Sequence, residues 1–159
     1  MVAASVKNNA VPLWVIDLHG MREVLSTKKN STKVAIIDAI EKGDMQILRS
    51  VSDELKAIYP DLYEDFKLIS PKKYMKSPVV ASVIVESLME CYDAGIFGSI
   101  PSAEHFEAVA VAHHAGVVLV TSGKGLSDCQ KIVKKCELKP HAVQSVQDVV
   151  SAIQKSEQH

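Results

Sequence analysis

No stretch of the 159-residue sequence approaches the length of a membrane span. The opening "MVAASVKNNAVPLWVIDL" is not expected to act as a secretory leader, because Lys7 and two asparagines break its apolar character. We therefore expect a soluble, cytoplasmic chain with no membrane partner. Cysteine is scarce. The three thiols, Cys91, Cys129 and Cys136, form no C-x-x-C pair and cannot all pair with one another. That excludes a disulfide framework and points to a reducing compartment with buried thiols. Cys129 and Cys136, seven apart on an expected helix, should share its core face. Excess charge of either sign is missing too. The net charge is −1, so no overall basic field advertises nucleic-acid binding, although a local patch remains open. There is no internal repeat and no low-complexity segment. The glycine-rich phosphate loops also fail. A Walker loop needs a glycine five residues before Gly123, where Val118 stands, and Ser or Thr after Lys124, where Gly125 stands. A dinucleotide fingerprint fails because residue 128 is Asp.

What is present is an ordinary globular composition, 47% hydrophobic and 23% charged, enough for one domain spanning 1–159 with 1–11 as a flexible N-terminus. Apolar runs predict short buried strands at 13–16, 45–48, 117–120 and near 142–143. Helices are expected over 31–42, 52–58, about 60–69, 77–92, 103–115, 127–136 and from Ser145 onward, where Asp148 completes a capping box. Pro78 in the first turn, and Gly43 and Gly116 at helix ends, support these limits. Residues 70–77 form a basic loop. Strands alternating with helices predict an α/β fold, a three-layer α/β/α arrangement around a parallel sheet of about four strands. Ligands of such folds gather at the strand C-terminal ends.

Three residues are expected at those ends. Asp17 closes the first strand, Glu54 lies on the first turn of the helix after the second, and Glu104 starts the helix leading into the third. Singly, each could be a turn residue or a helix-start acid. Together they form a carboxylate cluster that needs a divalent cation or shared protons. Oxygen donors suit Mg²⁺ or Mn²⁺, and such an ion can activate water for phosphodiester cleavage. Histidine supplies another candidate. His19 follows Asp17 by two residues and His105 adjoins Glu104, so the two could share a Zn²⁺, but no metal-ligand spacing is present. His113 and His114, late in a helix, are read as structural. The strand–turn "VVLVTSGKGLSD" could hold an anion at the start of the helix expected from Ser127, or its glycines could simply make a tight turn.

These residues resemble the PIN-domain family of metal-dependent ribonucleases, over nearly the whole chain from Leu13 to Ile153. "LWVID" resembles the family's opening strand ending in Asp, here Asp17. "VSDEL" resembles its V-x-x-E-L motif, with Val51, Glu54 and Leu55. "AEHFEAVAVAHHAGVVLVT" resembles its acid-led, Ala-rich helix followed by Gly and a strand. The family closes with T-x-D-x-D-F, where this sequence has "TSGKGL": Gly123 and Gly125 stand at the two aspartate positions. Counting back from Gly116, the family's third acid falls on His105, with Glu104 one residue early. Leu18 stands where Ser or Thr often follows the first Asp. Asp128 is either a late substitute acid or a helix-start acid.

The resemblance implies a PIN-like ribonuclease fold in which Asp17, Glu54 and Glu104 hold Mg²⁺ or Mn²⁺ and carry catalysis, with a degenerate acidic site. Thr121, Ser122 and Lys124 would meet substrate. Lysines at 28, 29, 33, 67, 72, 73 and 76, with Tyr74, could track an RNA backbone or form a solvated surface. The resemblance also implies a homodimer and a protein partner such as an antitoxin. The competing expectations are a catalytically inactive PIN-like module that binds RNA or protein, and an unrelated Rossmann-like protein with a small-molecule ligand.

Overall fold

Alternation of apolar strands and amphipathic helices organises the chain into a parallel sheet with helices on both faces. The computed structural model describes residues 12–93, 95 and 98–157; the segment 1–11, expected to be flexible, lies outside the described residues. In chain order the elements are β1 (Trp14–Ile16), α1 (Leu18–Ser26), α2 (Asn30–Lys42), β2 (Met45–Leu48), α3 (Ser50–Ile58), α4 (Pro60–Lys67), β3 (Tyr74–Met75), α5 (Val80–Cys91), α6 (Ala103–Ala115), β4 (Val118–Thr121), α7 (Gly123–Lys135), a 3₁₀ turn (Pro140–Ala142), β5 (Val143–Ser145) and α8 (Val146–Glu157). The sheet runs β3-β2-β1-β4-β5, every pair parallel, so β1 is central. Trp14 stands opposite both Met45 and Val118, which aligns the C-terminal ends of β1, β2 and β4.

Period-two alternation sends neighbouring strand residues to opposite faces. Ile16, Ile47 and Val120 join Met21, Ile36, Leu55 and Val149 in one core, under α1–α4 and α8. Val15, Leu119 and Val143 join Phe106, Val109 and Ile132 in the other, under α5–α7. The result is the expected three-layer α/β/α arrangement, with five strands instead of four. The fifth, β3, lies inside the segment read as a basic loop. Two residues are too few for a periodic signal, and its pairing is carried by backbone bonds: Ile47 N–H to Lys73 O at 3.0 Å and Arg49 N–H to Met75 O at 3.1 Å.

Other elements differ from expectation. Helix α5 starts at Val80, three residues later than Ser77, so Pro78 precedes the helix and is not in its first turn. Helix α3 starts at Ser50, two residues earlier than Ser52. Helix α7 starts at Gly123, not Ser127: Gly123, with φ +56°, makes the turn into it, whereas Gly125, also expected in a tight turn, lies within the helix. Helix α1 has no sequence signal of its own, since Gly20 lowers helix propensity in its first turn. Of the thiols, Cys129 is buried, Cys136 half-buried, and Cys91 exposed, contrary to the expectation that all three are inside. No helix among the described residues is long and apolar enough to cross a membrane.

The reason for Gly20 is a close approach between α1 and the sheet. A Cβ there would lie 2.8 Å from Ile16 Cγ1 and 2.9 Å from the carbonyl oxygen of Val120. A backbone carbonyl paired in a central strand cannot yield as a flexible side chain would. Gly20→Ala should therefore destabilise the fold by about 1–3 kcal/mol, as overpacking does, despite alanine's better helix propensity. Urea denaturation measures this, and an unchanged or raised midpoint would refute the close approach.

Candidate metal centre

Asp17 ends β1 and caps α1. Its Oδ1 accepts a hydrogen bond from Gly20 N–H at 2.8 Å, and its Oδ2 accepts one from the Thr121 hydroxyl at 2.7 Å. The carboxylate is 5% exposed. Burial holds its pKa above the usual carboxylate range, against the opposing pull of the Gly20 and Thr121 bonds and of His19 and His105 nearby. Both oxygens are thus engaged in holding β1, α1 and β4 together.

The cleft beside it, about 460 Å³, opens over the C-terminal ends of β1, β2 and β3 and is walled by α6. Asp17, Glu54 and Glu104 all line it, with Asp53 and Glu107 adding acid and Arg49 and Lys76 adding cationic heads. The three expected acids therefore share one cavity. They do not share ligand geometry. Among the described residues, the three His, Cys, Asp or Glu side chains whose ligand atoms lie within 4.8 Å of one another are His19, Glu104 and His105. Glu104 Oε1 is 3.9 Å from His19 Nε2 and 3.7 Å from His105 Nε2, and the two imidazole rings are 5.3 Å apart. His19 Nε2 is buried without a hydrogen-bond partner among the described residues, a state that costs about 1–3 kcal/mol unless something supplies one.

Local structure explains the convergence. Asp17's cap starts α1 so that His19 sits in its first turn. Helix α6 carries Glu104 outward, 56% exposed, and His105 inward, 3% exposed. Adjacent helical residues differ by about 100°, and here both flank the same space. Asp128 comes in from α7. It is a buried residue, not the solvent-facing acid of a helix start, and its Oδ2 is 3.5 Å from His105 Nε2. That is the same nitrogen that faces Glu104, so Asp128 adds a second carboxylate beside it.

The residues expected to meet substrate are otherwise employed. Thr121 is fully buried and gives its hydroxyl to Asp17; Ser122 donates to Glu23 Oε1 at 2.8 Å; Lys124 is exposed on α7 and is not among the residues lining the cleft. Of the basic residues, Lys67 pairs with Glu64 at 2.8 Å and Lys72 lies against the Phe66 ring, 5.1 Å from its centre, whereas Lys76 reaches the cleft. Arg49 was not singled out from the sequence. Only its place at the end of β2 marks it.

No protein-family model matches the chain, and no curated protein matches it. Among solved structures, the chain is similar to the crystal structure of PAE2754 from Pyrobaculum aerophilum, with 14% identity and a TM-score of 0.57 over 91% of each chain. At that identity the similarity concerns the three-layer fold alone.

Asp17 generates a pH test. Folding raises its pKa above the ordinary 3.8, so in the interval between the two values the native state holds a proton that the unfolded state has released. Its stabilising contribution is complete below the ordinary value and is lost as pH rises through the raised one. Asp17→Asn keeps an acceptor for Gly20 N–H and removes the ionisation. Measured by urea denaturation with chelator present, the mutant should gain on wild type as pH rises from 4 upward. A pH-independent difference would refute the assignment.

Proposed function

We propose that the chain is a PIN-like protein whose cleft binds a divalent metal ion and cleaves phosphodiester bonds in RNA. The observation that carries this reading is the buried, unpartnered His19 Nε2, facing Glu104 and His105 in a cavity also lined by Asp17 and Glu54. The residues fit a metal: an orphaned imidazole nitrogen lacks the partner that a cation would provide, and an exposed carboxylate next to it can move. Carboxylates alone would suit Mg²⁺ or Mn²⁺. When bound, such an ion supplies a Lewis acid for a phosphoryl oxygen and makes a water more acidic.

The chain's own side chains would do the rest. Arg49 and Lys76, exposed at the ends of β2 and β3, would take the phosphates on either side of the scissile bond. Glu54, half-buried on α3, would accept a proton from the attacking water. Asp17 would hold the β1–α1 corner and bias the cleft electrostatically. The motifs "LWVID" and "VSDEL" support the family assignment, and the common cavity of Asp17, Glu54 and Glu104 is what that assignment requires.

A second reading has its own observation. Both oxygens of Asp17 are committed to internal hydrogen bonds, and glycines stand at 123 and 125, so the centre could serve RNA binding without cleavage. The test is incubation of the purified chain with labelled single-stranded RNA, with Mg²⁺, Mn²⁺ or Zn²⁺ and with chelator. Cleavage should require metal and fall at least about 100-fold in Glu54→Gln, a loss typical of removing a general base. RNA left intact by every metal, alongside retained binding by fluorescence anisotropy, would replace the first reading with the second.

A further inference from the structure

Gly125, where the resemblance implies an aspartate, meets His19 in space. A Cβ at residue 125 would lie 2.8 Å from His19 Cδ2, 2.9 Å from His19 Cγ and 2.5 Å from Thr121 Oγ1. A side chain at 125 would therefore clash with Thr121 and with the His19 imidazole as it is placed here. Gly125 thus leaves room for the His19 imidazole beside α7. The donors that meet here are two ring nitrogens and one carboxylate.

We propose that His19, Glu104 and His105 form a centre for a zinc-type transition ion, Zn²⁺ or Co²⁺, and discriminate against Mg²⁺. This rests on the metal-binding reading of the cleft and specifies its ion. Nitrogen donors favour the later first-row metals, whereas Mg²⁺ demands octahedral oxygen and gives up its waters reluctantly. Three protein ligands with an open position toward a cleft is the arrangement of a reactive zinc site, not a closed structural one. Donors of a tetrahedral zinc at about 2.0–2.1 Å are about 3.4 Å apart, so ligand atoms already within 4.8 Å need only a modest contraction. Glu104, being exposed, can make it. His105 is held in place by its burial on α6.

The experiment is calorimetric titration of the chelator-treated full chain with ZnCl₂ and with MgCl₂ near neutral pH, together with the visible absorption of added Co²⁺. One Zn²⁺ per chain should bind, with Mg²⁺ weaker by at least about 100-fold. Co²⁺ should give the intense visible bands of a four- or five-coordinate site. Zn²⁺ affinity should fall at least about 10-fold in His19→Ala and in Glu104→Gln. Glu104 is exposed, so its variant retains the fold even if His19→Ala does not. Comparable Mg²⁺ and Zn²⁺ affinities would overturn the proposal, as would Zn²⁺ binding indifferent to Glu104→Gln. The readout is independent of RNA. Zinc binding without cleavage would sink only the nuclease reading, and cleavage supported by Mg²⁺ without zinc preference would sink only this one.

Discussion

The arrangement around the cleft depends on one buried carboxylate gripping two elements at once. Asp17 takes the Gly20 N–H with one oxygen and the Thr121 hydroxyl with the other. The first bond sets where α1 begins, and the second ties that corner to the end of β4, more than a hundred residues later in the chain. The grip works only at short range. Gly20 lets α1 lie against Ile16 and the Val120 carbonyl, and Gly125 lets α7 lie against Thr121 and His19. A carboxylate in such a place carries a desolvation penalty, which is why its pKa moves upward in spite of two hydrogen bonds and two neighbouring imidazoles. Two orphan donors satisfied by one side chain offset that penalty in structural terms.

What the sequence made legible follows the strength of its periodic signals. Strands β1, β2 and β4 and helices α2 and α6 were readable because apolar runs and helical periodicity extend over several residues, and the two helices end at glycines with left-handed backbone, Gly43 and Gly116. Strand β3 was not, since two residues on a sheet edge are held by backbone bonds that side-chain pattern does not encode. Helix α7 began early for a related reason. Gly123 and Gly125 suggested a turn by propensity, yet Gly125 is helical and its missing side chain serves packing against His19.

The site was half legible. Strand order puts Asp17, Glu54 and Glu104 at one end of the sheet, and the cleft they line follows from topology. The ligand trio did not follow from spacing. His19 and His105 are 86 residues apart in sequence, and nothing local marks them as partners. Their meeting requires the pairing of β1 with β4, the entry angle of α6, and an empty Cβ position at 125. A pattern search that counts carboxylates registers Gly125 as a loss. The three-dimensional arrangement registers it as room for an imidazole.

Charge connects the metal to the substrate on the proposed reading. The cleft is lined by five carboxylates, Asp17, Asp53, Glu54, Glu104 and Glu107, against two permanent cations, Arg49 and Lys76. A polyanion approaching such a wall without an intervening ion meets repulsion that the low dielectric of the cavity strengthens. Arg49 and Lys76 can anchor flanking phosphates from the rim, but the phosphate nearest Glu104 needs a positive charge between them. The same acids that would make RNA unwelcome alone would make a divalent cation welcome, so ion and RNA would bind with positive coupling. An acidic cleft is then no argument against a nucleic-acid substrate, since a cation balancing its carboxylates would also form part of the surface that RNA would meet.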